Sequence, residues 1–226
     1  MGSMNSRWSN GERNTTGLTR NFHDHRHRIV MVGLDGAGKS TLLYKLKFGI
    51  NTEIFPTLGF NAEDITSFQT STGKVFSFII IDVAGQGTTL CLRQLWPHHM
   101  INCDGIIYVI DCANRNRLSE AKRELFSRVL DFTELTKKPL VIAANKQDVE
   151  GAMKGSELEE YLGMNNVLRT DQSWRIVETS GQSAVGAKDL LDTMYSLIAN
   201  QKKKEKRNLM TPSSSKNIQL QSKFYC

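Results

Sequence analysis

Between residues 27 and 200, short apolar runs alternate with stretches of helical periodicity. His27-Arg-Ile-Val-Met-Val32 reads as a short apolar strand closed by a glycine. Gly105-Ile-Ile-Tyr-Val-Ile-Asp111 and Pro139-Leu-Val-Ile-Ala-Ala144 read as strands buried on both faces. Phe60 to Gln69 and Lys74 to Asp82 are β-rich, and Thr70-Ser-Thr-Gly73 between them is a hairpin signal. Ser40 to Phe48 has helical composition, and Leu118 to Asp131 carries Leu118, Ala121, Leu125 and Val129 at helical spacing. Lys154 to Leu162 and Gly186 to Ile198 read as helices, with a strand over Trp174 to Glu178 between them. Strands alternating with helices predict parallel βαβ units, hence an α/β fold with a covered sheet. Such sheets bind ligands at the carboxyl ends of their strands. Three regions follow: a polar arm over 1–27 without apolar periodicity, one domain over 28–200, and a basic, then Ser/Asn/Gln-rich tail over 201–226, expected to be disordered.

Composition narrows the picture modestly. With 226 residues and 39% hydrophobic content, disorder throughout is excluded and a core needs no disulfide or metal. No run of 18 apolar residues offers a membrane-spanning helix, and the first 30 residues lack the apolar centre of a secretory signal. Cys91, Cys103, Cys112 and Cys226 have neither CxxC nor metal-like spacing and read as reduced intracellular thiols. The net charge of +6 has an address. Lys202, Lys203, Lys204, Lys206, Arg207, Lys216 and Lys223 lie in the tail against Glu205 alone, which leaves the rest neutral. A nucleic-acid-binding face would carry its charge on the folded part, so no nucleic-acid partner is expected.

Gly33-Leu34-Asp35-Gly36-Ala37-Gly38-Lys39-Ser40, with Thr41 next, fits G-x-x-x-x-G-K-[ST] between an expected strand and an expected helix. Backbone N–H groups of such a loop wrap phosphates, and the helix dipole adds to them. Lys39 is placed to neutralise β/γ-phosphate charge, and the Ser40 hydroxyl to hold Mg²⁺. A ligand-free glycine-rich turn is the competing reading, and the full match in the right context argues against it. Asn145-Lys146-Gln147-Asp148 ends the Pro139–Ala144 strand, at the edge where ligands bind. Guanine presents N1–H and N2–H₂ as adjacent donors that one carboxylate accepts, whereas adenine offers a bare acceptor there. Asp148 therefore selects guanine. Asn145 braces the loop, and Lys146 lays its methylene stem over the base.

Together these motifs resemble small GTPases. Pro56-Thr57-Leu-Gly59-Phe60-Asn61 and Asp82-Val-Ala-Gly85-Gln86 look like switch I and switch II of the Arf and Arf-like family, over roughly residues 28–200. The resemblance implies the small G-protein fold: a mostly parallel central sheet, an antiparallel interswitch hairpin and helices on both faces. It implies that Thr57 ligates Mg²⁺ with Ser40 and Asp82, that Gly85 donates its N–H to the γ-phosphate, and that Gln86 orients the attacking water beside catalytic Lys39. Thr179, in the third base-contacting loop, completes the nucleotide set. It further implies a GTP/GDP switch acting as a monomer, served by an exchange factor, a GTPase-activating protein and effectors in membrane trafficking or signalling. Asp35 crowds the approach of an external arginine, so slow intrinsic turnover is expected.

The chain departs from the family pattern at Ala84, Ile81 and Glu178, in a longer switch II, and at His99, near a usual aromatic contact beside Phe60. A carboxylate at Glu178 is expected to weaken guanine binding. These departures keep open a second function, a guanine-nucleotide-binding interaction module with little hydrolysis. Met1-Gly2-Ser-Met-Asn-Ser6 fits N-myristoylation at Gly2, and equally a cloning remnant ahead of Met4. The run Lys202–Arg207 fits an anionic membrane surface or nuclear import, hence a cytoplasmic, membrane-peripheral protein with access to the nucleus. His23, His25 and His27 read as a titratable linker, and His98-His99 as a helix start after Pro97.

Overall fold

The computed structural model describes residues 26–48, 59–85, 92–164 and 172–210. Gly2, Thr57, Gln86, Cys91, Lys216, Lys223 and Cys226 lie outside them. Among the described residues six strands form one sheet, in the order β2-β3-β1-β4-β5-β6. They are β1 (His27–Val32), β2 (Phe60–Gln69), β3 (Val75–Val83), β4 (Gly105–Asp111), β5 (Leu140–Asn145) and β6 (Trp174–Glu178). Among the described residues only β2 and β3 pair antiparallel, as the hairpin signal predicts. β1 runs parallel to both β3 and β4, β5 parallel to β4, and β6 parallel to β5.

Alternation along each strand sorts the core into two layers. Val30, Val32, Ile106, Tyr108, Ile142 and Ala144 face one side. There they meet α2 (Trp96–Met100), α3 (Leu118–Leu125) and α4 (Gly155–Leu162). Ile29, Met31, Phe78, Ile80, Ile107 and Val141 face the other, against α1 (Lys39–Phe48) and α5 (Ala187–Met210). Because the central strands β4 and β5 are apolar almost throughout and buried along their length, helices must cover both faces. The expected fold class is the observed one.

Three expectations change. The helix expected to stop at Ile198 runs to Met210, so Lys202–Arg207 are helical, and of the tail residues 211–226 lie outside the described ones. Gln, Lys, Glu and Arg are good helix formers, and no glycine or proline interrupts the run before Pro212. The helix expected over Leu118–Asp131 changes to a π-turn at Phe126–Leu130. His27 is no linker residue: it is buried in β1, 3.8 Å from Asp104 and ringed by Phe76, Phe78 and Tyr195. That imidazole, with the Arg28 amide, holds the Asp104 carboxyl down at about 2. Among the described residues no group of three or more His, Cys, Asp or Glu could hold a metal ion.

Candidate functional site

Four loops leave the carboxyl ends of β1, β3, β5 and β6 and meet above the sheet. The first is the phosphate loop. Its Lys39 is buried at the start of α1 and donates to the carbonyls of Gly33 and Leu34, both at 3.0 Å. Burial pulls the ammonium down to about 8, against the pull of Asp82 and Asp35. A bound polyphosphate opposes that shift, because added negative charge favours the protonated amine. The Ser40 hydroxyl donates to the carboxylate of Asp82, which is fully buried at the end of β3. A hydroxyl and a carboxylate side by side at the foot of a phosphate loop are the hard oxygens Mg²⁺ takes, with phosphate and water supplying the rest. The pair fits that ion.

The second half of the site reads the base. Asn145 is 1% exposed, and its Nδ2 donates to the Ala37 carbonyl at 2.8 Å while its Oδ1 accepts from the Thr179 hydroxyl at 3.1 Å. One side chain thus pins the phosphate loop to both base-contacting loops. Lys146 sits at φ 67°, and its ammonium meets Asp111 at 2.7 Å, which stretches the stem across the mouth of the site. The buried Ser180 hydroxyl donates to the exposed carboxylate of Asp148. The Gln147 amide closes the pair of loops by donating to the Thr179 carbonyl at 3.1 Å.

Asp35 does not stand alone in the phosphate loop. Its carboxylate takes Arg117 at 2.9 Å and Arg93 at 3.0 Å, and the Arg117 guanidinium bonds the Asp35 carbonyl as well. These guanidiniums, Arg117 first, hold the carboxyl below the usual carboxylate range. The charge that crowds this approach is therefore drawn toward α3 and neutralised.

The sequence-predicted residues Gly33 to Thr41, Asp82, Gly85, Asn145, Lys146, Asp148 and Thr179 all converge on this corner. Thr57 and Gln86 lie outside the described residues. Ser180, Arg93, Arg117, Asp111 and Trp96 escape sequence reading, although Ser180 follows Thr179 directly and its hydroxyl was a signal. Phe60 and His99 stand with ring centroids 5.3 Å apart, as the expected contact requires. Ile81, another departure from the family pattern, is 4% exposed and packs in the core.

Glu178 needs correction. Its carboxylate accepts from the Gly155 amide at 2.6 Å and caps α4 instead of facing the base. Glu178→Ala is expected to cost about 1 kcal/mol of stability, as loss of a helix cap does. It should leave guanine-nucleotide affinity within about threefold. A thermal melt beside a fluorescent-GDP titration checks both. Tenfold tighter binding would restore the repulsive role.

Comparison with solved structures finds the Arl6 (BBS3) small GTPase from Trypanosoma brucei, determined with a bound nucleotide analogue, GppNp. It superposes with a TM-score of 0.66 at 25% identity, covering 78% of this chain and 99% of the other. The sequence model of the ADP-ribosylation factor family matches residues 15–198, which takes in part of the segment set apart as the polar arm. The chain belongs to the Arf family of GTP-hydrolysing small GTPases.

Proposed function

We propose that this chain binds GTP and GDP with Mg²⁺ and cycles as a switch that recruits effectors to a membrane surface. One observation carries the reading: Lys39, Ser40 and Asp82 stand beside a base reader built from Asn145, Asp148 and Thr179 and locked to the same loop. Ser40 and Asp82, with Thr57, hold the ion, which neutralises phosphate charge. Gly85 donates to the γ-phosphate, and Gln86 orients water. Hydrolysis runs slowly until a GTPase-activating protein binds, and an exchange factor resets the monomer. Purified protein, denatured, should release guanine nucleotide; adenine nucleotide would sink the reading. Gln86→Leu should slow single-turnover phosphate release with an activating protein about a hundredfold or more, and equal rates would remove the role given to Gln86.

Supporting a membrane address, Lys203, Lys204 and Arg207 of α5 line an open cavity of about 570 Å³ with Arg175 and Trp174. This end of α5 lies beside the start of β6, away from the carboxyl-end loops. A protein docked there by charge keeps its nucleotide site free. Myristate on Gly2 adds a second anchor, since one signal binds marginally and two bind stably. The same basic run serves nuclear import in the cytoplasmic pool.

A further inference from the structure

The geometry points to Trp96 and Arg93 as positioning residues that hold the Gly85 amide for GTP and so set the preference for GTP over GDP. This rests on the reading that the Gly85 N–H meets the γ-phosphate. A trans peptide carries its C=O and N–H in one plane, pointing opposite ways. Whatever grips the Ala84 carbonyl therefore aims the Gly85 N–H. The grip is the Trp96 indole, which donates from Nε1 to the Ala84 carbonyl at 3.0 Å. Trp96 is fully buried and stands edge-on to Tyr108, 6.1 Å between centroids. Tyr108 is anchored in turn by its hydroxyl on the Ala121 carbonyl at 2.8 Å. The donor thus belongs to the core rather than to a switch.

Arg93 takes the next carbonyl. Its Nε donates to the Gly85 carbonyl at 2.7 Å, while its other nitrogens reach Glu120 at 2.7 Å and Asp35 at 3.0 Å. The Ala84 amide is spent on the Gly59 carbonyl at 2.8 Å. Gly85 itself lies against the phosphate loop, where a Cβ would come 2.4 Å from the Asp35 nitrogen and the Gly33 oxygen. Two buried donors on two consecutive carbonyls leave the Gly85 N–H as the group still open to a ligand. Any buried indole seeks an acceptor. A core tryptophan with no further role would support both nucleotides alike. A preorganised amide is useful only to a ligand that carries a γ-phosphate. Loosening it costs GTP affinity and spares GDP.

The test compares GDP with a non-hydrolysable GTP analogue, and follows single-turnover phosphate release, on the full chain. Trp96→Phe deletes the N–H and keeps an aromatic core. β-(3-Benzothienyl)alanine at position 96 keeps the indole shape with sulfur in place of N–H, should phenylalanine fail to fold. Arg93→Lys removes the fork that reaches three acceptors. We expect affinity for the analogue to fall about 5- to 20-fold in each, with GDP affinity within about twofold at position 96 and a smaller loss than the analogue's at position 93, where Asp35 of the phosphate loop also loses a partner. Equal losses for both nucleotides, or none, would overturn the assignment. Gly85→Ala separates the two levels. If it leaves the GTP-to-GDP ratio unchanged, the reading of Gly85 falls and the positioning falls with it. If it erases the preference while the position 96 and 93 variants keep theirs, only the positioning falls.

Discussion

Asp148→Asn should lower affinity for GDP and GTP by about a thousandfold, while creating measurable affinity for xanthosine diphosphate. The guanine edge offers two adjacent donors, and the carboxylate accepts both. An amide at the same place accepts one and points its own N–H at the other, so one hydrogen bond becomes a repulsion. A lost charge-assisted pair with a donor left facing a donor costs about 4 kcal/mol, a thousandfold in affinity. Xanthine has a carbonyl where guanine has its amino group, so it matches the amide donor and acceptor together. The fold should tolerate the change, because Asp148 is exposed and the Ser180 hydroxyl can donate to an amide oxygen as it does to the carboxylate. Competition against a fluorescent nucleotide, with guanosine and xanthosine diphosphates in parallel, measures both arms. GDP affinity within threefold of wild type would remove Asp148 from base recognition.

What the sequence makes legible here is local. Strands continuous in apolar residues announce a covered sheet. The G-x-x-x-x-G-K-S loop and N-K-x-D each carry their chemistry in a few consecutive positions. The side chains that aim those groups are another matter. Arg93 and Arg117 reach Asp35 across 58 and 82 residues. Trp96 finds the Ala84 carbonyl only because α2 folds back under the end of β3. No periodicity encodes such meetings, since any polar side chain near a loop offers the same donor. Glu178 misleads for a related reason: adjacency to Thr179 suggests a shared site, yet neighbouring residues at a strand end point to opposite faces. The lysine run misleads through its charge. High charge reads as an unfolded tail, while helix propensity and an uninterrupted α5 carry the chain on to Met210.

The second large effect should come from one methyl group. Gly38→Ala is expected to weaken GDP and GTP alike by about a hundredfold or more, and to lower thermal stability. Gly38 sits at φ 89°, where an L side chain costs about 1–2 kcal/mol. The larger cost is steric. A Cβ there would lie 2.4 Å from the Asn145 Nδ2, far inside van der Waals contact. A free side-chain end would swing away, but this one is buried and tied on both sides, to Ala37 at 2.8 Å and to Thr179 at 3.1 Å. Moving it breaks the link between the phosphate loop and the base reader, and strands a buried amide at a further 1–3 kcal/mol. Gly36→Ala isolates the backbone contribution. Gly36 has a similar φ of 72° but nothing within 4 Å of its would-be Cβ, so only strain applies, worth about 5- to 30-fold. Stopped-flow binding of fluorescent GDP to the two variants, with melts of each, measures the difference. If Gly38→Ala binds no worse than Gly36→Ala, the Asn145 bridge carries none of the affinity, and phosphates and base are held by loops that act independently.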